Sequence, residues 1–215
     1  QEACGMIKKL VELLGVTKPS TFCPGGRTCA FTGHRPQNLP FRFNESDKRC
    51  IALKKQLRKL IIQLIEQHDV THFISGMAIG VDMYAAEIVL DLKAKYPHIT
   101  LESAIPCETQ AAKWSEPLRD RYFKIAEQCD KETMLQTQYT PDCMQKRNRY
   151  MVDQSDVLLA VWDGTPSGTG STVQYARTQG ILRCQSTTQE ARLWDIRHPE
   201  LPRSCHIQPV PCPAA

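Results

Sequence analysis

At 215 residues and a formal net charge of +4, the chain is long enough for one well-buried domain and short for two. Hydrophobic residues make up 41% and charged residues 23%, ordinary globular values that exclude wholesale disorder. The interspersed, mildly positive balance does not by itself point to nucleic acid, and no apolar run reaches the roughly 18 residues that a membrane span requires.

The chain opens on Gln1 rather than Met, consistent with residues lost upstream. The first stretch, QEACGMIKKLVELLGV, has charges inside a short apolar patch and no small-residue cleavage site. It predicts an amphipathic helix rather than a signal peptide, with residues 1–27 as helix and linker and the cytoplasm as the expected location. The 10 cysteines are scattered without any C-x-x-C pair, so reduced thiols are expected. Cys205 and His206 adjoin, but nothing in the spacing supports a zinc site, and neither metal nor cofactor is called for.

From residue 28 short apolar runs alternate with helical patterns. TCAFTG (28–33) predicts a first strand, ending at Gly33-His34-Arg35-Pro36. Between Ser46 and Gln67, Ile51, Leu53, Leu57, Leu60, Ile61, Leu64 and Ile65 fall mostly at three- and four-residue spacing, an amphipathic helix with Asn44 or Ser46 as its cap. THFIS (71–75) is the second strand and 81–95 the next helix; ITLESAIP (99–106) is a third strand closed by Pro106. A helix over 117–129 has Pro117 in its first turn. A weaker strand at 132–137 and a helix over 142–154 lead to DVLLAVW (156–162), the strongest strand pattern. After the loop DGTPSGTG comes a helix, STVQYARTQ, stopped by Gly180. From Leu182 on, prolines crowd the sequence and ILRC is a poor strand, so residues 182–215 are expected to be an irregular tail behind a domain spanning 28–181.

Continuous apolar strands between helices predict an α/β, Rossmann-like, doubly wound and mainly parallel sheet with helices on both faces. In such sheets ligands sit beyond the carboxyl ends of the strands, near the switch in strand order. Three distinctive loops leave strands at that edge, after Phe31, Ile74 and Trp162.

The candidate site residues lie on those loops. Gly76 and Gly80 permit close backbone approach ahead of a helix whose free amides attract anions. Ser75 and Met77 belong to the same turn, and Asp82 is placed to reach ribose hydroxyls or to cap the helix. Ser167, Gly168, Thr169, Ser171 and Thr172 supply more donors than one cap uses, although a solvated loop would have the same composition. Arg147, Arg149 and Arg35 are candidate anion ligands, each weighed against a solvated face, and His34 is equally a structural group or a donor. Trp114 and Tyr122 are candidate base-stacking rings or core residues.

FTGHRP (31–36), SGMAIGVD (75–82), the KW…RDRY segment (113–122), RNRYMVDQSD (147–156) and SGTGST (167–172), in this order, resemble the SLOG superfamily, and within it the YpsA-like family. The superfamily includes DNA-processing protein A and the Lonely Guy phosphoribohydrolases. The resemblance implies a pocket for nucleotides or nucleotide-derived molecules formed by the three loops, and a homodimer. It also brings single-stranded DNA binding as a minor reading. The phosphoribohydrolases use an arginine and a glutamate, and the comparison puts Arg147 at the arginine position and Thr172 at the glutamate position. Gln174 nearby is also uncharged, so the resemblance implies a binder rather than a hydrolase unless Asp82 supplies the carboxylate.

Overall fold

The computed structural model describes residues 26–179 and the backbone of residues 182–186. The expected N-terminal helix, the stop at Gly180 and the Cys205–His206 pair lie outside the described residues. In chain order the elements are β1 (Arg27–Gly33), a 3-10 turn (Pro36–Asn38), α1 (Lys48–His68), β2 (Val70–Ser75), α2 (Val81–Leu92) and β3 (Thr100–Ile105). They continue with α3 (Glu116–Ala126), β4 (Lys131–Met134), α4 (Cys143–Asp153), β5 (Val157–Val161), α5 (Gly168–Thr178) and β6 (Leu182–Ser186).

The strands form one sheet in the order β4-β3-β2-β1-β5-β6, and every neighbouring pair is parallel. The fold is a Rossmann-like α/β fold. Strand order runs outward one way from β1 to β4 and then jumps to β5 on the other side of β1. The switch point is therefore the gap between the carboxyl ends of β1 and β5.

Successive strand residues face opposite sides, and the two cores follow that alternation. Cys29 and Phe31 of β1, Phe73 of β2 and Leu101 of β3 face a large core with α1, α2 and α3, where Phe31 and Phe73 stack at 5.7 Å. Ala30, Ile74, Ala104 and Ala160 face a smaller core against Met151 and Val152 of α4 and Val173 and Ala176 of α5. Burial on both faces explains why a central strand such as β5, VLLAV, reads as an unbroken apolar run, whereas the edge strand β4, KETM, is mostly exposed and polar. Among the described residues Cys29, Cys50, Cys107, Cys129 and Cys143 are buried and not disulfide-bonded, and no helix is long and apolar enough to cross a membrane.

Three local expectations are corrected. The cap of α1 is Asp47, whose carboxylate accepts the Arg49 amide at 2.8 Å, rather than Asn44 or Ser46. Helix α5 starts at Gly168, ahead of Ser171, because the Ser167 hydroxyl accepts the Gly170 amide at 3.1 Å and lets three more residues turn. The tail expected to be irregular from residue 182 starts instead with β6, paired with β5 from Val157↔Leu182 to Val161↔Ser186.

Two ionic clusters fasten the frame. Arg121 of α3 donates to Glu45 and to Glu87 of α2, drawing the loop before α1 onto those helices. Glu102 of β3 is 1% exposed and accepts from His72 at 3.0 Å, Lys131 at 2.9 Å and the Tyr150 hydroxyl at 2.7 Å. It thereby ties β2, β4 and α4 to β3.

Candidate ligand-binding site

The three loops singled out by the sequence meet at the switch point. Backbone pairing of β1 with β5 runs on past the strand end, the His34 amide donating to the Val161 carbonyl at 3.3 Å. The turn after β2 lies against this corner. Gly80 holds φ at +103°, and a Cβ there would stand 2.9 Å from the His34 carbonyl oxygen. Only glycine combines that conformation with that approach. Gly80→Ala is therefore expected to destabilise the fold by about 1–3 kcal/mol; a thermal melt that overlays the parent would show that the turn does not need glycine.

Within the turn Ser75 acts on the backbone: its hydroxyl donates to the Asp82 carbonyl at 2.9 Å and accepts the Met77 amide at 3.2 Å. Met77, fully buried, sits at φ +55°. Gln110, from the loop after β3, clamps this conformation by donating to the Met77 carbonyl at 2.9 Å and the Gly76 carbonyl at 3.3 Å.

Arg147 of α4 reaches the same turn. It is 4% exposed, and its guanidinium donates to the Gly76 carbonyl and, through Nε, to Asn148 Oδ1 at 2.8 Å. A Cβ at Gly76 would collide with the Arg147 guanidinium and stand 2.8 Å from Asp82 Oδ2, so this glycine leaves room for two opposite charges to face each other. Asp82 is 6% exposed, and its Oδ2 accepts the Ala78 amide at 3.4 Å. It does not cap α2, whose cap residue is Gly80. Burial pushes the Asp82 carboxyl up, against the pull of Arg147, the Ala78 amide and Arg35. Burial likewise pulls Arg147 down, against the support of Asp82.

Asn148 joins this charge pair to the last loop. Its amide donates to the Thr172 hydroxyl at 2.9 Å, and that hydroxyl donates to the Gly168 carbonyl at 2.9 Å. A continuous chain thus runs from the Gly76 carbonyl through Arg147, Asn148 and Thr172 to the first turn of α5. Thr169 and Thr172 are buried while Gly168 and Ser171 are exposed. On the outer side, a recess of about 510 Å³ opens beside Ser167 and Ser171, walled by Trp162, Pro166 and Tyr175.

Of the residues expected at the site, Gly33, His34, Arg35, Ser75, Gly76, Met77, Gly80, Asp82, Arg147, Ser167, Gly168, Thr169, Ser171 and Thr172 converge on the carboxyl ends of β1, β2 and β5. Trp114 meets the buried Tyr122 ring edge-on at 5.5 Å and packs against the larger core. Arg149 lies over the Tyr175 ring at 5.6 Å, on the outer side of α5. The sequence pattern did not single out Asn148, Gln110 or Asp163. Asn148 adjoins Arg147, and Asp163 opens the DGTPSG loop, but nothing local marks Gln110.

This arrangement, a parallel sheet with glycine turns and a buried arginine at its switch point, defines a Rossmann-like domain of the SLOG type. The sequence model of YpsA, described as the YspA SLOG family, matches residues 29–189, and the chain belongs to that family. Similar relatives include the SPbeta prophage-derived protein YoqJ of Bacillus subtilis, 33% identical over 59% of this chain and 81% of that one. UPF0398 protein YpsA of the same organism is 29% identical over 71% and 87%. Among solved structures, DNA processing protein A of Streptococcus pneumoniae superposes with a TM-score of 0.50 at 16% identity, over 75% of this chain and 50% of that one. The Helicobacter pylori counterpart, whose structure concerns its single-stranded DNA binding mode, gives 0.50 at 19% identity, over 75% and 65%. At such identities the likeness is one of fold.

Proposed function

We propose that this protein binds a nucleotide or nucleotide-derived small molecule in the switch-point crevice, to sense or sequester it, without turning it over. The observation that carries this reading is the Arg147–Asp82 pair, buried together beside the Gly76 turn and wired through Asn148 to the first turn of α5. A guanidinium and the amides of two helix N-termini suit phosphate, and a carboxylate suits a sugar hydroxyl. Arg35, exposed at the rim, adds a second positive charge, so the crevice favours an anion. Thr172 stands where the related hydrolases carry a carboxylate, and its hydroxyl is engaged with Asn148 and Gly168, which speaks against turnover. The same proposal includes a homodimer in the cytoplasm.

Small molecules released by denaturing the purified protein test this by mass spectrometry. An intact nucleotide derivative near one equivalent is expected; only free base with ribose phosphate, or nothing, would contradict it.

One observation favours a second reading. Burial raises the Asp82 carboxyl beside a guanidinium, an arrangement suited to proton transfer at an N-glycosidic bond. Under that reading nucleoside monophosphates would release free base in the parent and not in Asp82→Asn, whereas the binding account expects no release from either. Single-stranded DNA binding, a property of the Helicobacter pylori neighbour, remains the minor alternative. It would show as a mobility shift that weakens with salt.

A further inference from the structure

His34 is the buried polar side chain of the crevice that the hydrogen-bonded frame leaves half used. It directly follows β1, is 2% exposed, and places Nε2 2.9 Å from Asp163 Oδ1. The same carboxylate oxygen accepts the Thr165 amide at 3.0 Å and the Thr165 hydroxyl at 2.7 Å. Burial opposes the charge on Asp163, but the Thr165 and His34 hydrogen bonds outweigh it and hold the carboxyl at about 2. Asp163 is therefore ionised at neutral pH and has no proton to give. The 2.9 Å contact must be Nε2–H donating to the carboxylate. The Asp163 amide also approaches Nε2, at 3.4 Å, a longer and weaker contact.

In the neutral ring that assignment fixes the other nitrogen as well. A neutral imidazole protonated on Nε2 carries a lone pair on Nδ1 and can only accept there. Among the described residues the hydrogen-bond contacts of the ring are made by Nε2, and none is made by Nδ1. The His34 carbonyl lies 2.9 Å from the Cβ position of Gly80, which sets the residue beside the first turn of α2, where Asp82 stands.

We infer that the Asp163–His34 pair is a tautomer-locked acceptor that takes a hydrogen bond from a sugar hydroxyl, so that the crevice selects a ribose-bearing nucleotide over its deoxyribose counterpart. This rests on the binding reading above and deepens it. A phosphate ester at neutral pH offers few protons and is repelled by the lone pair, so the anion goes to Arg147 and α5. A hydroxyl has a proton to give. With Nδ1 and the Asp82 carboxylate both accepting, this side of the crevice suits a sugar.

Calorimetric titration with adenosine 5′-monophosphate and its 2′-deoxy and 3′-deoxy forms tests it, with the other three ribonucleotides matched in the same way. The parent is expected to bind the ribonucleotide about tenfold tighter than the weaker of its deoxy forms, the effect of one lost hydrogen bond. In His34→Phe the ratio falls to about one. Asp163→Asn keeps the ratio, because the two Thr165 donors hold the side-chain oxygen where it still accepts Nε2–H. Asp163→Leu frees the tautomer and loses the ratio. Should His34→Phe fail to fold, the ¹⁵N spectrum of the parent decides instead: a protonated Nε2 is expected, with a bare Nδ1 whose resonance moves when nucleotide is added.

A parent ratio of one, a ratio retained in His34→Phe or lost in Asp163→Asn, or a proton on Nδ1 overturns the inference and leaves the binding reading standing. A parent that binds no nucleotide of the panel overturns both.

Discussion

Arg147→Ala is expected to weaken nucleotide binding about 100-fold or more, as read by titration calorimetry. The guanidinium is 4% exposed and already oriented by the Gly76 carbonyl and Asn148, so little freedom remains to be lost when a phosphate arrives. Each hydrogen bond to a charged group contributes about 1.5–3 kcal/mol, and a planar fork supplies two. Arg147→Lys, which keeps the charge but not the fork, should recover only part of the loss.

The same substitution has a second, separable consequence. It strips the buried Asp82 of the cation that opposes its raised pKa. A carboxyl whose folded pKa lies above its unfolded value costs stability as pH rises from the unfolded value through the folded one. Arg147→Ala should therefore lose stability relative to the parent on going from weak acid to neutral pH. Adding Asp82→Asn should restore the melting temperature without restoring binding. Recovery of binding in the double variant would mean that Arg147 serves the fold and not the ligand.

Glu102→Gln carries the largest expected effect on stability away from the crevice. Burial opposes the Glu102 charge, yet hydrogen bonds from His72, Lys131, Thr133 and Tyr150 together hold the carboxyl at about 2, against an ordinary value of 4.5. Such a shift corresponds to about 3 kcal/mol favouring the ionised, folded form. The sign follows from the depressed value: the contribution is full above pH 4.5 and fades as pH falls toward 2. Urea melts should place Glu102→Gln about 2–3 kcal/mol below the parent at pH 7, with the gap closing in acid. A gap independent of pH would mean that packing, not charge, holds β2, β4 and α4 to β3.

The centre of the sheet was legible in the sequence because β1, β2, β3 and β5 are largely buried on both faces. VLLAV of β5 has no polar residue to disguise it, and the alternation of Phe31 with Ala30 merely sorts large and small side chains to opposite cores. Strand β6 was not legible: LRCQS is laced with polar residues and lies at the edge of the sheet. The cap at Asp47 was missed because Asn44 and Ser46 offer the same chemistry within three residues, and only backbone geometry chooses among them.

The site divides similarly. Glycine turns and hydroxyl runs are local patterns, and so they stood out. The partners that join them are contacts across the fold: His34 with Asp163 across 129 positions, Gln110 with Met77 across 33, Asn148 with Thr172 across 24. Local composition carries no trace of them. Asp82 shows both halves, since its position after Gly80 was readable while its facing Arg147 across Gly76 was not.

Hydrogen exchange of the purified protein, with and without saturating ADP-ribose or adenosine 5′-monophosphate, tests the central claim most directly. If the three loops form one crevice for such a ligand, amides in 33–35, 75–82 and 167–172 should slow together while α1 and β4 stay unchanged. Protection elsewhere, in one loop alone, or nowhere would contradict it.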